Sequence, residues 1–487
     1  MRIILFHQLS FLLLIAFWFA SCKGEETAPA DSASPVYIVP HIISADGDGE
    51  QDGNYLYVND YSNALHALFM ISGNSRASEY GHENYRPELF PDEMNARAER
   101  WLDLMHDADN AFNQDGLFVN RYVGNGNAYI SSGETDLSIY PHLVYSYHMH
   151  HRGSRFDDQI LFERLSRETT NFIVMPGRYL LNHHFEEGRF IHQNGRSDHK
   201  SMSYGLGGIH GHGYAWIVWE KPEGADNMGV ITEEALEAWL DFGIDDMLQT
   251  YRQIADVLEE SWIEEASVYD FGDGTVWHLD AIGAMIRGKK TMYDALYMFG
   301  DDSDRELART VFERTAAMFE AALDLVEPWG LPDQIEFTGE GVNAATAEVS
   351  VYDWYQFLNH FGGGFSFDRE REGTSEFINS YRKELGDQFP DFYDRAMRGI
   401  LDYHIGEQGT VVNSVSYEDG SILDERLMVS TLGMFLTVAG NIYTNGYSFA
   451  RADDWDSVSD DIAERSRDLY DIKFRHIGKL ESVVFGD

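Results

Sequence analysis

The chain reads as an all-α protein, an (α/α)6 toroid, closed or incomplete, with short strands in its loops. Two observations predict this. Six helical hairpins follow one another, each pairing an apolar helix rich in small residues with a more amphipathic one, as an inner and an outer ring require. No Pro/Ser-rich linker interrupts the chain after Pro35, so the hairpins share one unit rather than two helical domains.

In order, the pairs are 57–72 with 91–112, 136–151 with 156–175, 205–220 with 232–260, 278–299 with 303–326, 348–361 with 375–404, and 425–443 with 454–475. Each opens on a Gly- or Asp-rich loop. The fourth pair shows the logic. LDAIGAMIRGKKTMYDALYMF is apolar on most sides, whereas Leu307, Val311, Met318, Ala322 and Leu325 fall near one face of its partner. A repeat of roughly 60–80 residues exceeds the periods of common solenoids. The segments GLFVNRY and GTVVNSVSY have strand character.

The N-terminus predicts residues 1–21 as a leader, 22–40 as a polar tether, and 41–487 as one toroid domain. Arg2 precedes an apolar run from Ile3 to Ala20, the pattern of a signal peptide. Phe19-Ala20-Ser21-Cys22 resembles a bacterial lipobox, and Lys23-Gly24-Glu25-Glu26 resembles an export tag of surface lipoproteins. Together they predict lipidation at Cys22, an outer-membrane, cell-surface location and membrane contact through that anchor alone. Cys22 is the single cysteine, which excludes disulfides, thiol catalysis and cysteine-held zinc.

A net charge of −46, with eight lysines among 36 cations, points to a surface solvated at high salt. It offers no basic stripe for nucleic acid.

Chemistry concentrates between Glu187 and Trp219, where His192, His199, His210, His212, Tyr204 and Tyr214 share a Gly-rich run. Imidazole and phenol groups take and return protons, and glycine admits close backbone approach. In a toroid the loops entering inner helices meet at one mouth. Those loops hold Asp60, Glu134, Asp136, the His/Tyr run, His278, Asp280, Glu348, Asp353, Asp424 and Glu425.

The motif order is similar to that of the toroid polysaccharide lyases of the chondroitin AC, hyaluronate and xanthan lyase type. The resemblance rests on SGETDLS at 132–138, EGRFIHQ at 187–193, GHGYAW at 211–216 and IRGKKTMY at 286–293. It implies β-elimination on a uronate-containing, acidic polysaccharide. Tyr214 matches the base and acid of that family, and His192 or His199 matches its histidine. Arg287 matches the first arginine of an Arg-Gly-Arg segment whose second is Lys289 here. Asn194, Arg196, Arg287, Lys289 and Trp216 are accordingly the expected substrate contacts, and Tyr204 is counted with Tyr214, His192 and His199 among the expected catalytic residues. The chain departs from the family at Glu134, where an asparagine is expected, and in lacking a C-terminal β-sandwich.

That mechanism needs no cofactor. His210-x-His212 has spacing for a divalent metal if extended, and neither residue is assigned between catalysis and metal. The run ADGDGEQDGN departs from a calcium loop at Glu50, Gln51 and its missing twelfth-position Glu. Two other classes stay open. A glycoside hydrolase would pair Asp136 with Asp280, Glu348 in reserve. A surface glycan-binding lipoprotein would stack sugars on Trp216, Trp219, Trp277, Trp354 and Tyr355.

Overall fold

The computed structural model describes residues 37–44, 48–51, 55–64, 176–219 and 244–364, nearly all of 395–441, and parts of 100–137 and 468–486; for 113–131, 211–219, 360–364, 437 and 439–441 it describes the backbone only. The leader, Cys22, Glu134, Asp136 and the hairpin expected at 136–175 lie outside the described residues.

The fold is an α/α toroid. Its inner helices are α1 (58–64), α2 (His199–Trp219), α4 (Leu279–Phe299), α6 (Val351–Gly364) and α7 (Val429–Asn441). The amphipathic helices α3 (Ile244–Ser261) and α5 (Asp302–Leu323) pack behind them. Helix α2 packs on α4, α4 on α6, and α6 on α7. Helices α7 and α1 approach so closely that a Cβ on Gly433 would come within 2.5 Å of the Asn63 carbonyl oxygen.

Sequence explains the two rings. Leu279 and every residue of α4 from Ala281 to Leu296 are buried, with Asp280 half-buried at the helix start, in keeping with a helix flanked on all sides. Helix α5 buries Ala308, Val311, Phe312, Thr315, Phe319 and Ala322 at helical spacing and turns its charged side outward. It starts at Asp301, whose carboxylate accepts from the Ser303 and Asp304 N–H groups while Asp304 returns a bond to the Asp301 N–H. Helix α3 likewise buries Met247, Leu248, Tyr251, Ile254, Ala255 and Leu258.

One expectation is corrected. The Gly-rich His/Tyr run is not a loop feeding a helix from 205; it is helical from His199 onward. Gly205 is required because a neighbour occupies the space of its missing side chain. A Cβ on Gly205 would strike the Phe190 ring at 2.0 Å. The run is therefore divided along the barrel wall, and only its first residues reach the entrance.

Short strands set that entrance. Tyr55–Tyr57 leads into α1, Val276–His278 into α4, Glu348–Ser350 into α6 and Leu427–Met428 into α7. Each pairs antiparallel with a neighbour: Val276–His278 with Gln334–Thr338, Glu348–Ser350 with Ser414–Ser416, and Leu427–Met428 with Ile42–Ile43. The expected strand segments are seen at Leu117–Phe118, Arg121–Asn125 and Ser414–Ser416. This stitching brings the N-termini of the inner helices to one face.

Candidate active site

At that face Asp280 lies in the first turn of α4 and Asp353 in the first turn of α6. Asp333 stands before the strand that pairs with Val276–His278, and its carboxylate accepts from the Ser350 N–H. The three acids feel one another. Burial, then the charges of Asp280 and Asp333, hold the Asp353 carboxyl well above the ordinary carboxylate range. Burial pushes Asp333 up to about 6, against the Ser350 bond, and Glu348 and Asp280 add to the rise.

Around them sit polar groups from other entrances. The Tyr204 hydroxyl of α2 donates to Asp280 Oδ2 at 2.5 Å. Asp280 Oδ1 accepts from the Ala281 N–H at 2.8 Å. The Tyr352 hydroxyl accepts from Asn59 and Asn63 of α1 at 3.1 and 3.2 Å. Lys200, in the first turn of α2, is near enough that its charge acts on Asp353 and His278.

Imidazoles border the acids. His199 stacks on His278 with ring centres 5.9 Å apart, and its Nδ1 bonds Asp273 Oδ2. Its backbone N–H donates to the same oxygen at 3.0 Å, while its Nε2 is buried with no hydrogen-bond partner. Burial opposes charge on Asp273, yet the bonds from His199 bring its carboxyl below the usual range. Burial and then the Lys200 charge lower His278, which favours its neutral form. His192 Nε2 bonds Asp198 Oδ1 at 3.1 Å at the start of α2.

The expected residues divide accordingly. His199 and Tyr204 stand at or near the entrance, with His192 on the half-buried approach. Asn194 and Arg196 are exposed in the preceding turn, where Asn194 Oδ1 accepts from the Arg196 N–H at 3.0 Å. Tyr214, His212 and Trp216 belong to the second half of α2, and their side chains lie outside the described residues. His210 is buried and bonds the Thr291 hydroxyl through Nδ1. Among the described residues no three His, Cys, Asp or Glu side chains are grouped to hold a metal.

Arg287 and Lys289, expected substrate contacts, are both buried within α4, and Lys289 lies over the Tyr269 ring. Of the proposed sugar-stacking aromatics, Trp277, Trp354 and Tyr355 are buried as well. Glu348, held in reserve as an acid, is exposed on its strand.

Sequence reasoning missed Asp273, Asp333, Lys200, Asn59 and Tyr352. Asp333 and Asp273 have one legible signal, an acid beside a short strand that leads toward an inner helix.

No protein-family profile matches the chain. A stretch of 73 residues is 38% identical to an arginine–tRNA ligase of Campylobacter fetus, and the match spans 14% of that ligase's length. Solved structures similar in outline include a sugar epimerase from a ruminal bacterium, at 12% identity and TM-score 0.43, covering 87% of this chain and 95% of that one. The cellobiose 2-epimerase of Bacillus thermoamylovorans has 12% identity and TM-score 0.44, covering 86% and 94%. The α-1,2-mannosidase of Trichoderma reesei has 9% identity and TM-score 0.45, covering 81% and 78%. No residue correspondence follows from likenesses this distant.

Proposed function

We propose that this protein is a carbohydrate-active enzyme that hydrolyses a glycosidic bond, with Asp353 as the acid and Asp280 as the base. The observation that carries this reading is the convergence of Asp280, Asp333 and Asp353 at one entrance, where burial and then the Asp280 and Asp333 charges raise the Asp353 carboxyl well above the ordinary carboxylate range. Acetal cleavage needs one carboxyl that keeps its proton and one that has lost it.

The step balances without a cofactor. Asp353 gives its proton to the glycosidic oxygen as the bond from the anomeric carbon to that oxygen breaks. The oxygen of a water molecule bonds to the anomeric carbon, and a proton of that water passes to Asp280. Proton exchange with solvent then restores both groups. An entrance lined by carboxylates favours a neutral sugar over a uronate by simple repulsion.

β-Elimination on an acidic polysaccharide is the second reading. Its support is the resemblance in motif order, with Tyr214 as base, and the neighbouring imidazoles of His199 and His278. We place either activity at the cell surface, on a lipid anchor at Cys22.

Incubation with neutral and uronate-containing polysaccharides separates the two. Hydrolysis yields new reducing ends without the ultraviolet band of a 4,5-unsaturated uronate. Asp353→Asn and Asp280→Asn then each lower kcat by about 10²–10⁴-fold while remaining folded. A rising ultraviolet band that survives both substitutions overturns the hydrolytic reading.

A further inference from the structure

We propose that Tyr204 is a positioning residue for Asp280, its phenol donating a hydrogen bond that holds this carboxylate aimed as the proton acceptor. The inference rests on the hydrolytic reading and adds to it the means by which two similar carboxyls are given different roles.

The geometry is tertiary. Tyr204 lies in the second turn of α2 and is 5% exposed, and its partner is 76 residues away at the start of α4. The two helices meet closely because α4 has Gly288 where a Cβ would come within 2.6 Å of the Leu206 backbone. With Oδ2 held by Tyr204 and Oδ1 by the Ala281 N–H, rotation of the Asp280 carboxylate would cost two bonds. Asp280 also begins a helix, where partial positive charge favours an anion.

Asp353 has different company. Its own N–H donates to Ser350 Oγ at 3.2 Å, the Ser350 hydroxyl bonds its carboxyl, and the charges facing it are those of Asp280 and Asp333, with Lys200 in opposition. Both aspartates occupy first turns and both have a hydroxyl partner, so neither feature alone separates them. At Asp353 burial and the facing acids outweigh the serine, whereas Asp280 is held on both oxygens, by the Tyr204 phenol and the Ala281 N–H. The groups facing Asp280 are Tyr204, His278, Asp333, Asp353 and Tyr352, each within electrostatic reach. Tyr204 keeps its own proton throughout the reaction.

The test is Tyr204→Phe, which removes one oxygen and keeps the ring. Across pH, the acid limb of kcat/KM is expected to rise by about one unit, roughly a tenfold loss at the acidic end. KM and the basic limb stay in place. A second readout needs no turnover: carbon-13 NMR of labelled aspartate, with the Asp280 signal assigned by its absence in Asp280→Asn. That signal is expected to titrate at higher pH in Tyr204→Phe than in the parent.

An unmoved Asp280 titration overturns the proposal and leaves the phenol a packing role. Equal loss of activity at every pH, without a shifted limb, overturns it in favour of a tyrosine that touches substrate. Should Tyr204→Phe fail to fold, 3-fluorotyrosine at position 204 is a stronger donor and must move both readouts downward. Failure of the hydrolytic reading is seen separately, as parent protein that releases no reducing ends or as a fully active Asp353→Asn variant.

Discussion

The Nζ of Lys289 lies 3.7 Å from the centre of the Tyr269 ring and has no hydrogen-bond partner. The ring's negative face offsets part of the charge, but burial still lowers the ammonium well below its ordinary range. The unfolded chain therefore binds more protons at this position than the folded one, over the interval from the lowered value up to the normal lysine range. Stability rises with pH across that interval. Lys289→Met, which keeps length and removes the charge, is expected to stabilise the fold by about 1–3 kcal/mol at neutral pH. The gain shrinks as pH approaches 10. Urea unfolding of parent and variant at two pH values measures it.

Gly288 is the contact point of α2 and α4, where an added Cβ would press on backbone atoms of Leu206 and Gly207 at 2.6 and 2.8 Å. Backbone cannot rotate away as a side chain would. Gly288→Ala gains about 1 kcal/mol of helix propensity and loses more to displaced packing, so a net destabilisation of about 1–3 kcal/mol is expected. Gly478→Ala is the control, since nothing lies within 4 Å of its Cβ position. Thermal unfolding should lower Tm in the first variant and leave or raise it in the second.

The hairpin pattern was legible because burial leaves a periodic mark. The buried face of α5 and the largely apolar character of α4 are both visible in sequence. The entrance was partly legible for the same reason, and His278, Asp280 and Asp353 were placed there by counting from each apolar run. The depth of a residue along a helix was not. Arg287 and Lys289 read as cations for an acidic ligand, and nothing local in the sequence shows that both are buried within α4. Asp333 and Asp273 were hidden because they act across strand and loop contacts. Asp273 meets His199 from 74 positions away, a separation that no local spacing encodes.

Asp198 begins α2 by a reciprocal cap. Its Oδ1 accepts from the Ser201 N–H at 2.9 Å, and its own N–H donates to Ser201 Oγ at 2.9 Å. Burial opposes its charge, but the bonds from His192 and Ser201 prevail and hold the carboxyl below its usual range. The stability this contributes is present above the unfolded carboxylate pKa and is lost as pH falls toward the lowered value. Asp198→Ala is expected to cost about 1–2 kcal/mol at pH 7. In acid below the lowered value the difference narrows, because the parent carboxylate is protonated there. Denaturation at neutral and acidic pH tests both the size and the sign.

Asp333 contributes, after burial and Asp280, to the pH at which the proposed acid gives up its proton. Its charge is among those that raise Asp353, and its own carboxyl is pushed up to about 6. Below that pH it is largely neutral and bears little on its neighbour; above it, it opposes ionisation of Asp353. Asp333→Asn keeps an oxygen to accept from the Ser350 N–H and removes the charge. Asp353 then ionises more readily. The basic limb of the pH–rate profile is expected to move down by about one unit, with parent and variant converging below pH 6, where position 333 is uncharged in both. A basic limb that stays where it is would mean that the proton donor is not Asp353.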